Sequence, residues 1–225
     1  YKTDESKIRL IHRCVNMENF NVETTSAERM IKYLEDNNIP EDKPIITLIG
    51  RLTNWKGQKL LIEALHLLEN EDFFCVMIGD DQGRKKYSAE LRKMIDNYNM
   101  TDRFLFIRNV KDIPAAMMVS DVVLSTSIEP EAFGRIAIEG QAMGRVVVAS
   151  NIGGSVETVI DGVTGRLYES TSAKALAEAI EWALHLSTEE REKIGAAGIK
   201  NVKEHFTKQI MCDKTIEVYK ELINL

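Results

Sequence analysis

Cysteine is scarce in this chain: Cys14, Cys75 and Cys212 are its three, odd in number and far apart. That usage excludes a disulfide framework and a zinc-ligand pattern, and it fits a reducing cytoplasm. Cys75, inside the apolar run Phe73–Ile78, reads as a small core residue. Long apolar runs are missing as well. None approaches the roughly 20 residues that a membrane-spanning helix needs, and no signal peptide is visible. The four histidines are scattered. His66, His185 and His205 fall on helical stretches and read as surface or packing residues, so no Ser–His–Asp or Cys–His arrangement can be assembled. Positive charge is not in surplus either. The net charge of −6 favours solubility and argues against a nucleic-acid partner. Internal repeats and low-complexity tracts are absent, and the chain starts at Tyr1 without Met, as an excised piece would.

What is present is a regular alternation. The chain has 225 residues, enough for one large domain and short for two, so a single domain over 1–225 is expected. Apolar runs at Ile45–Ile49, Phe73–Ile78, Arg103–Ile107, Val122–Leu124, Val146–Ala149 and Arg166–Tyr168 read as strands. They show little polar alternation, so both faces of the sheet should be covered. Helical spacing separates them at Thr25–Asn37, around Leu60–Leu68, and at Ser88–Tyr98, Ile113–Val119, Phe133–Met143 and Gly154–Ile160. Thr25 or Ser26 should cap the first of these and Asp112 the fourth, which has Pro114 in its first turn. Lys7–Phe20 starts extended and drifts into a loop. Strands alternating with helices predict an α/β fold, a Rossmann-like, doubly wound parallel sheet with helices on both faces. From Ser172 onward the chain is helical: Ala173–Leu186, then Thr188–Glu204 behind a Ser187-x-x-Glu190 capping box, then Ile210–Leu225. That last helix, within residues 207–225, has more apolar residues than a solvated end requires.

Three loops at strand ends could carry chemistry. Gly50-Arg51-Leu52-x-x-x-Lys56-Gly57 lies between a strand and a helix. Gly50 would allow a tight turn, and Gly57 would open the helix with free N–H groups. Arg51 and Lys56 add two cations suited to a phosphate or diphosphate, although a solvated basic loop would look alike. It is not a Walker loop. In the second loop Glu131 and Glu139 are separated by seven residues and bracket the start of a helix near Phe133 and Gly134. Carboxylates that accept, beside amides that donate, suit a polyhydroxyl ligand; surface acids beside a core helix are the plainer alternative. Gly153-Gly154-x-x-Glu157 would allow close backbone approach to a ligand, as a tight strand–helix turn also would. Asp80-Asp81 lacks a third metal ligand at useful spacing and reads as a cap or a cleft wall.

Taken in order, these motifs resemble the C-terminal, donor-binding domain of family-4 retaining glycosyltransferases of the GT-B fold (glycosyl transferases group 1). Ile11-His12-Arg13-Cys14-Val15-Asn16-Met17-Glu18-Asn19-Phe20 is similar to the family's I-P-N-G-V-D-x-x-x-F segment. Gly50-Arg51-Leu52-x-x-x-Lys56-Gly57 matches G-R-L-x-x-x-K-G, and Ile78-Gly79-Asp80 parallels V-G-D/E. Glu131-Ala132-Phe133-Gly134 through Glu139 matches E-x-F-G-x-x-x-x-E, with Gly153-Gly154-x-x-Glu157 and Asp161-Gly162-x-x-Gly165 following.

The resemblance implies roles. Arg51 and Lys56 would neutralise the donor diphosphate and stabilise the departing nucleotide, with no metal and no cofactor. Glu131 would hold the donor sugar near the Phe133 and Gly134 amides, and Glu139 would accept from ribose hydroxyls. Gly50, Gly153 and Gly154 would line the donor site, with Arg108 and Val110 at the base. The implied partners are a nucleotide-diphosphate sugar and a glycan or lipid-linked acceptor, the acceptor held mainly by an N-terminal half that this chain lacks. Residues 207–225 would cross to that half. A bacterial, cytoplasmic protein is implied, in polysaccharide or lipopolysaccharide assembly, with peripheral association at the inner face of the plasma membrane open to the full-length protein. The chain alone should bind donor and transfer nothing.

Departures from the family pattern are specific. Arg13-Cys14 stands where Asn-Gly is usual and Asn16 where Asp is usual. Arg108 stands where a glycine often begins the base-binding loop, and Arg135 replaces a common apolar residue after E-x-F-G. Two other functions fit less of the pattern: a nucleotide-sugar epimerase of the same fold, which needs an acid/base pair in the cleft, and a non-catalytic nucleotide-sugar-binding or interaction module.

Overall fold

A computed structural model describes residues 3–223. Six strands, β1 (Ile45–Ile49), β2 (Phe74–Ile78), β3 (Phe104–Ile107), β4 (Val122–Ser125), β5 (Val146–Ser150) and β6 (Arg166–Tyr168), form one sheet in the order β3-β2-β1-β4-β5-β6. Every pairing is parallel. The expected Rossmann-like architecture is therefore present, with strand order reversing at β1 and β4.

The uninterrupted apolar runs follow from burial on both faces. All residues of β1, β2, β4 and β5 are buried, whereas the edge strand β3 is half-buried throughout. Helices α2 (Gln58–Leu67), α3 (Lys85–Asn97) and α7 (Ala173–Leu184) pack with Ile46, Leu48, Met77 and Leu124 on one face. On the other, α1 (Ala27–Asn37) and α4 (Ile113–Met118) pack with Ile45, Ile49, Val76 and Val123. Leu61, Leu65 and Leu176 are fully buried, each stabilising the fold by about 1.5–3 kcal/mol. Cys75 lies in this core, where burial pushes its thiol pKa up.

Local signals set the boundaries. Ser26 caps α1, Asp112 caps α4 ahead of Pro114, and the Ser187–Glu190 capping box starts α8 (Thr188–His205). Several boundaries differ from expectation, three of them for an identifiable reason. Helix α3 begins at Lys85, not Ser88, because Asp81 turns the chain: its side chain accepts from Gly83 N–H and its carbonyl from Arg84 N–H. Helix α5 (Arg135–Ala142) begins two residues after Phe133 because Gly134 is left-handed, at φ +71°. Helix α7 stops at Leu184, whose carbonyl accepts from Arg191 at 2.8 Å. A short α6 (Ser155–Thr158) occupies the middle of Gly154–Ile160.

Among the described residues the leading segment joins no strand; it makes one β-bridge, Val15 to Thr207, and reaches the rest of the fold through His12 to Glu157 at 2.7 Å and Arg9 to Glu221 at 3.0 Å. The last helix, α9 (Lys208–Ile223), has no buried residue, and Ile216, Tyr219, Leu222 and Ile223 are exposed on it. Residues 224–225 of the helix expected there lie outside the described residues. Among the described residues no helix is long and apolar enough to cross a membrane.

Gly57 is where the fold tolerates least. It sits at φ +73°, and a Cβ there would lie 1.9 Å from the Thr126 carbonyl oxygen. Gly57→Ala should cost several kcal/mol, combining backbone strain with a collision against a neighbouring loop. Urea denaturation should show a lower midpoint, while the equivalent change at Gly83, which has open space but a similar φ of +82°, should cost only about 1 kcal/mol.

Candidate donor site at the carboxyl edge of the sheet

In an open parallel sheet, ligands bind outside the carboxyl ends of the strands where the order reverses. Here that place lies between β1 and β4. The loop after β1 runs from Gly50 to Gly57, and the loop after β4 from Thr126 to Gly134. Gly50 N–H donates to the Ile78 carbonyl at 2.8 Å and Leu52 N–H to the Asp80 carbonyl at 3.1 Å, fixing the first loop against β2. Buried Gln58 donates to the Arg51 carbonyl at 2.9 Å and accepts from the Tyr87 hydroxyl at 3.1 Å.

Two bonds sew the loops together. The Thr126 hydroxyl donates to the Lys56 carbonyl at 2.8 Å, and Ile128 N–H donates to the Trp55 carbonyl at 2.8 Å. This is the contact that the absence of a side chain at Gly57 permits. Across it, Lys56 Nζ meets Glu131 Oε1 at 2.5 Å, and the Ser127 hydroxyl donates to the same oxygen. These two charged side chains are only 14% and 17% exposed, so the pair is partly shielded and stronger than a surface ion pair. Arg51 is exposed and, among the described residues, enters no ion pair; its guanidinium lies 5.8 Å from the Trp55 ring centre. Lys56 Nζ lies 4.5 Å from the same ring.

The chain bends at Gly50, but its φ is not positive, and a Cβ there would meet only the Lys56 side chain, at 3.5 Å. The close approach belongs to Gly79, where a Cβ would lie 1.9 Å from the Gly50 carbonyl. The Gly153-Gly154 pair does mark a close backbone approach, and its neighbour is the Glu131–Phe133 backbone. Gly154 N–H donates to the Glu131 carbonyl at 2.8 Å, and a Cβ on Gly154 would lie 2.4 Å from Phe133 Cα. The pair therefore seats the acidic loop.

Phe133 turns its ring inward, against His12 at 5.9 Å and Phe206 at 5.7 Å between centres. What Phe133 and Gly134 can offer a ligand is backbone. Gly134 supplies no side-chain cap to α5, so the first amides of that helix remain available as donors. Glu139, on α5, is 4% exposed. Burial raises its pKa, and Arg135, with Nη2 at 2.5 Å from its Oε1, opposes that rise. The extra cation of the sequence thus folds back on the acid expected to meet ribose.

The remaining candidates are more distant along the same edge. Arg108, 67% exposed, follows β3 and pairs with Asp80 at 3.3 Å and Asp81 at 3.4 Å. Asp81 also accepts from Gly83 N–H and the Ser88 hydroxyl, which holds its pKa down, with Arg108 adding a weaker pull. The two aspartates are turn residues, Asp80 accepting from Gln82 N–H and Asp81 from Gly83 N–H. Val110 lines a cavity of about 410 Å³ between α1 and the loop leading into α4, with Arg29, Tyr33 and Asp112, which does not include the Arg51–Lys56 loop.

Sequence reasoning missed Trp55, Ser127 and Gln58 beside the site, and the His12–Glu157 contact of 2.7 Å near Phe133. Trp55 sits at a variable position of its motif. His12 and Glu157 are 145 positions apart, and only the fold brings them together. The other histidines are packing or surface residues: His66 stacks on Tyr98 at 4.1 Å, His185 meets Glu71 at 3.1 Å, and His205 lies 6.1 Å from Phe206.

The sequence pattern of the family described as glycosyl transferases group 1 matches residues 30–201. Among curated proteins, the capsular polysaccharide biosynthesis glycosyltransferase CapM of Staphylococcus aureus is 26% identical over 91% of this chain and 52% of its own length. Among solved structures, a glycosyltransferase from Rickettsia africae ESF-5 superposes with a TM-score of 0.96 at 38% identity, covering 99% of this chain and 59% of that one. HepE of Anabaena, solved in complex with UDP, has a TM-score of 0.84 at 26% identity, covering 96% of this chain and 57% of that one. The chain spans about half the length of the curated relatives it matches, 60% and 52% for two of them. It belongs to the glycosyl transferases group 1 family, and its sheet is one Rossmann-like half of the GT-B fold.

Proposed function

We propose that this chain is the donor-binding half of a family-4 retaining glycosyltransferase that holds a nucleotide-diphosphate sugar and needs no metal. The observation that carries the reading is the convergence of two loops at the β1–β4 crevice. One presents Arg51 and Lys56; the other presents Glu131 and the open amide end of α5. Breaking the bond between the anomeric carbon and the diphosphate oxygen leaves an electron pair, and negative charge, on the departing nucleotide. Fixed cations at that position stabilise the transition state more than the ground state. Arg51 is free to grip the diphosphate. Lys56 would turn from Glu131 toward it, and Glu131, so released, would accept from the sugar hydroxyls. Glu139 would serve the ribose once Arg135 yields it. UDP in HepE makes a uridine donor the first to test.

The acceptor would be a glycan or lipid-linked sugar held by an upstream half, as the share of the relatives covered by this chain suggests. Helix α9 supports that arrangement through its exposed Ile216, Tyr219, Leu222 and Ile223. Capsular polysaccharide assembly in CapM points to envelope polysaccharide as the pathway class, in a bacterial cytoplasm with access to the inner membrane face.

Calorimetric titration with UDP, GDP and ADP should show one of them binding. Arg51→Ala and Lys56→Ala should each weaken that nucleotide by about 1–3 kcal/mol, the range for a charge-assisted hydrogen bond. Unchanged affinity in both would remove the diphosphate assignment. With a panel of donors and acceptors, the 225-residue chain alone should transfer no sugar, and a chain extended by its upstream half should. Robust transfer by the shorter chain would sink the division of labour.

A further inference from the structure

We infer that Trp55 is a positioning residue for the diphosphate, holding the Arg51 and Lys56 cations on one aromatic ring so that both meet a single anion. The inference rests on the donor-site reading above and adds a residue that neither the motif nor the family pattern assigns. Three observations carry it. Lys56 Nζ and the Arg51 guanidinium lie 4.5 Å and 5.8 Å from the centre of the half-buried Trp55 ring, both within the roughly 6 Å over which a ring attracts a cation. The Trp55 backbone is pinned, since its carbonyl accepts Ile128 N–H at 2.8 Å from the facing loop. Arg51 enters no ion pair among the described residues, so the Trp55 ring is the group left to orient it.

The physical need is clear. Two cations brought together for one dianion repel each other before it arrives. Glu131 offsets Lys56, but among the described residues no carboxylate pairs with Arg51. An indole supplies negative potential on its face without competing as a carboxylate would, because it offers no charge that the diphosphate must displace. It also restricts the long Arg51 side chain, which would otherwise lose rotamer freedom on binding.

The test uses the 225-residue chain with Trp55→Leu and Trp55→Phe, titrated calorimetrically with UDP and with uridine. Trp55→Leu should weaken UDP about 3- to 30-fold and leave the weak binding of uridine unchanged, since only UDP carries the anion. Trp55→Phe, which keeps an aromatic face, should recover most of the loss. Thermal melting checks that each variant folds. Equal UDP affinity in wild type and Trp55→Leu would overturn the inference alone, as would a parallel loss for UDP and uridine, or failure of Trp55→Phe to recover UDP binding while folded. Absence of UDP, GDP and ADP binding in the wild type would overturn the donor-site reading, and the inference with it.

Discussion

The Lys56–Glu131 ion pair bridges the two loops of the site, and the geometry of the crevice depends on it. Either charge alone in that shielded crevice would pay for lost hydration without compensation. Paired, they neutralise each other and hold the loops after β1 and β4 in register. The pair forms because Gly57 lets the first loop reach the Thr126 carbonyl, and because Gly153 and Gly154 let the second lie flat on the start of α6. Sheet topology does the rest by placing β1 beside β4. Charge, close backbone approach and strand order thus act as one constraint.

A site arranged in this way is preorganised yet not empty of internal partners. Lys56 is held by Glu131, and Glu139 by Arg135. In the proposed reaction an incoming donor exchanges these contacts for its own, so binding releases little net charge–charge energy and depends on fit. Arg51 differs in having, among the described residues, no carboxylate to give up. The electrostatic gain on binding would then come mainly from that residue, and the ion pairs would act chiefly as placeholders that keep buried charges solvated by protein.

Much of the fold was legible because the physics is local. Fully buried parallel strands must be continuous apolar runs, and Ile45–Ile49 or Val146–Ala149 could be little else. Ser26, Asp112 and Ser187 advertised their helices through capping chemistry. Boundaries failed where distant groups decided them, as when Arg191 takes the Leu184 carbonyl and ends α7. The site divided in the same way. The glycine and cation positions of the Gly50–Gly57 loop stood out by type and spacing, but their partners did not. Gly153 and Gly154 could be read as a close approach, yet not as one made to the Glu131 loop. The Arg135–Glu139 contact was within reach of sequence, since four positions on a helix share a face. The Trp55 ring under two cations was not.

The sheet's connectivity has a kinetic consequence. Every strand pair is parallel, so each pairing waits for a crossover to close, and β1 must find β4 across 76 positions, as the Ile45–Asp121 contact measures. Such distant pairings cost loop entropy before they return any stability and slow folding. The crevice between β1 and β4 is bounded by the longest of these closures. Its two loops meet only once β1 and β4 pair, so the charged pair depends on that long closure; if it forms after the closure, it would slow unfolding more than it speeds folding.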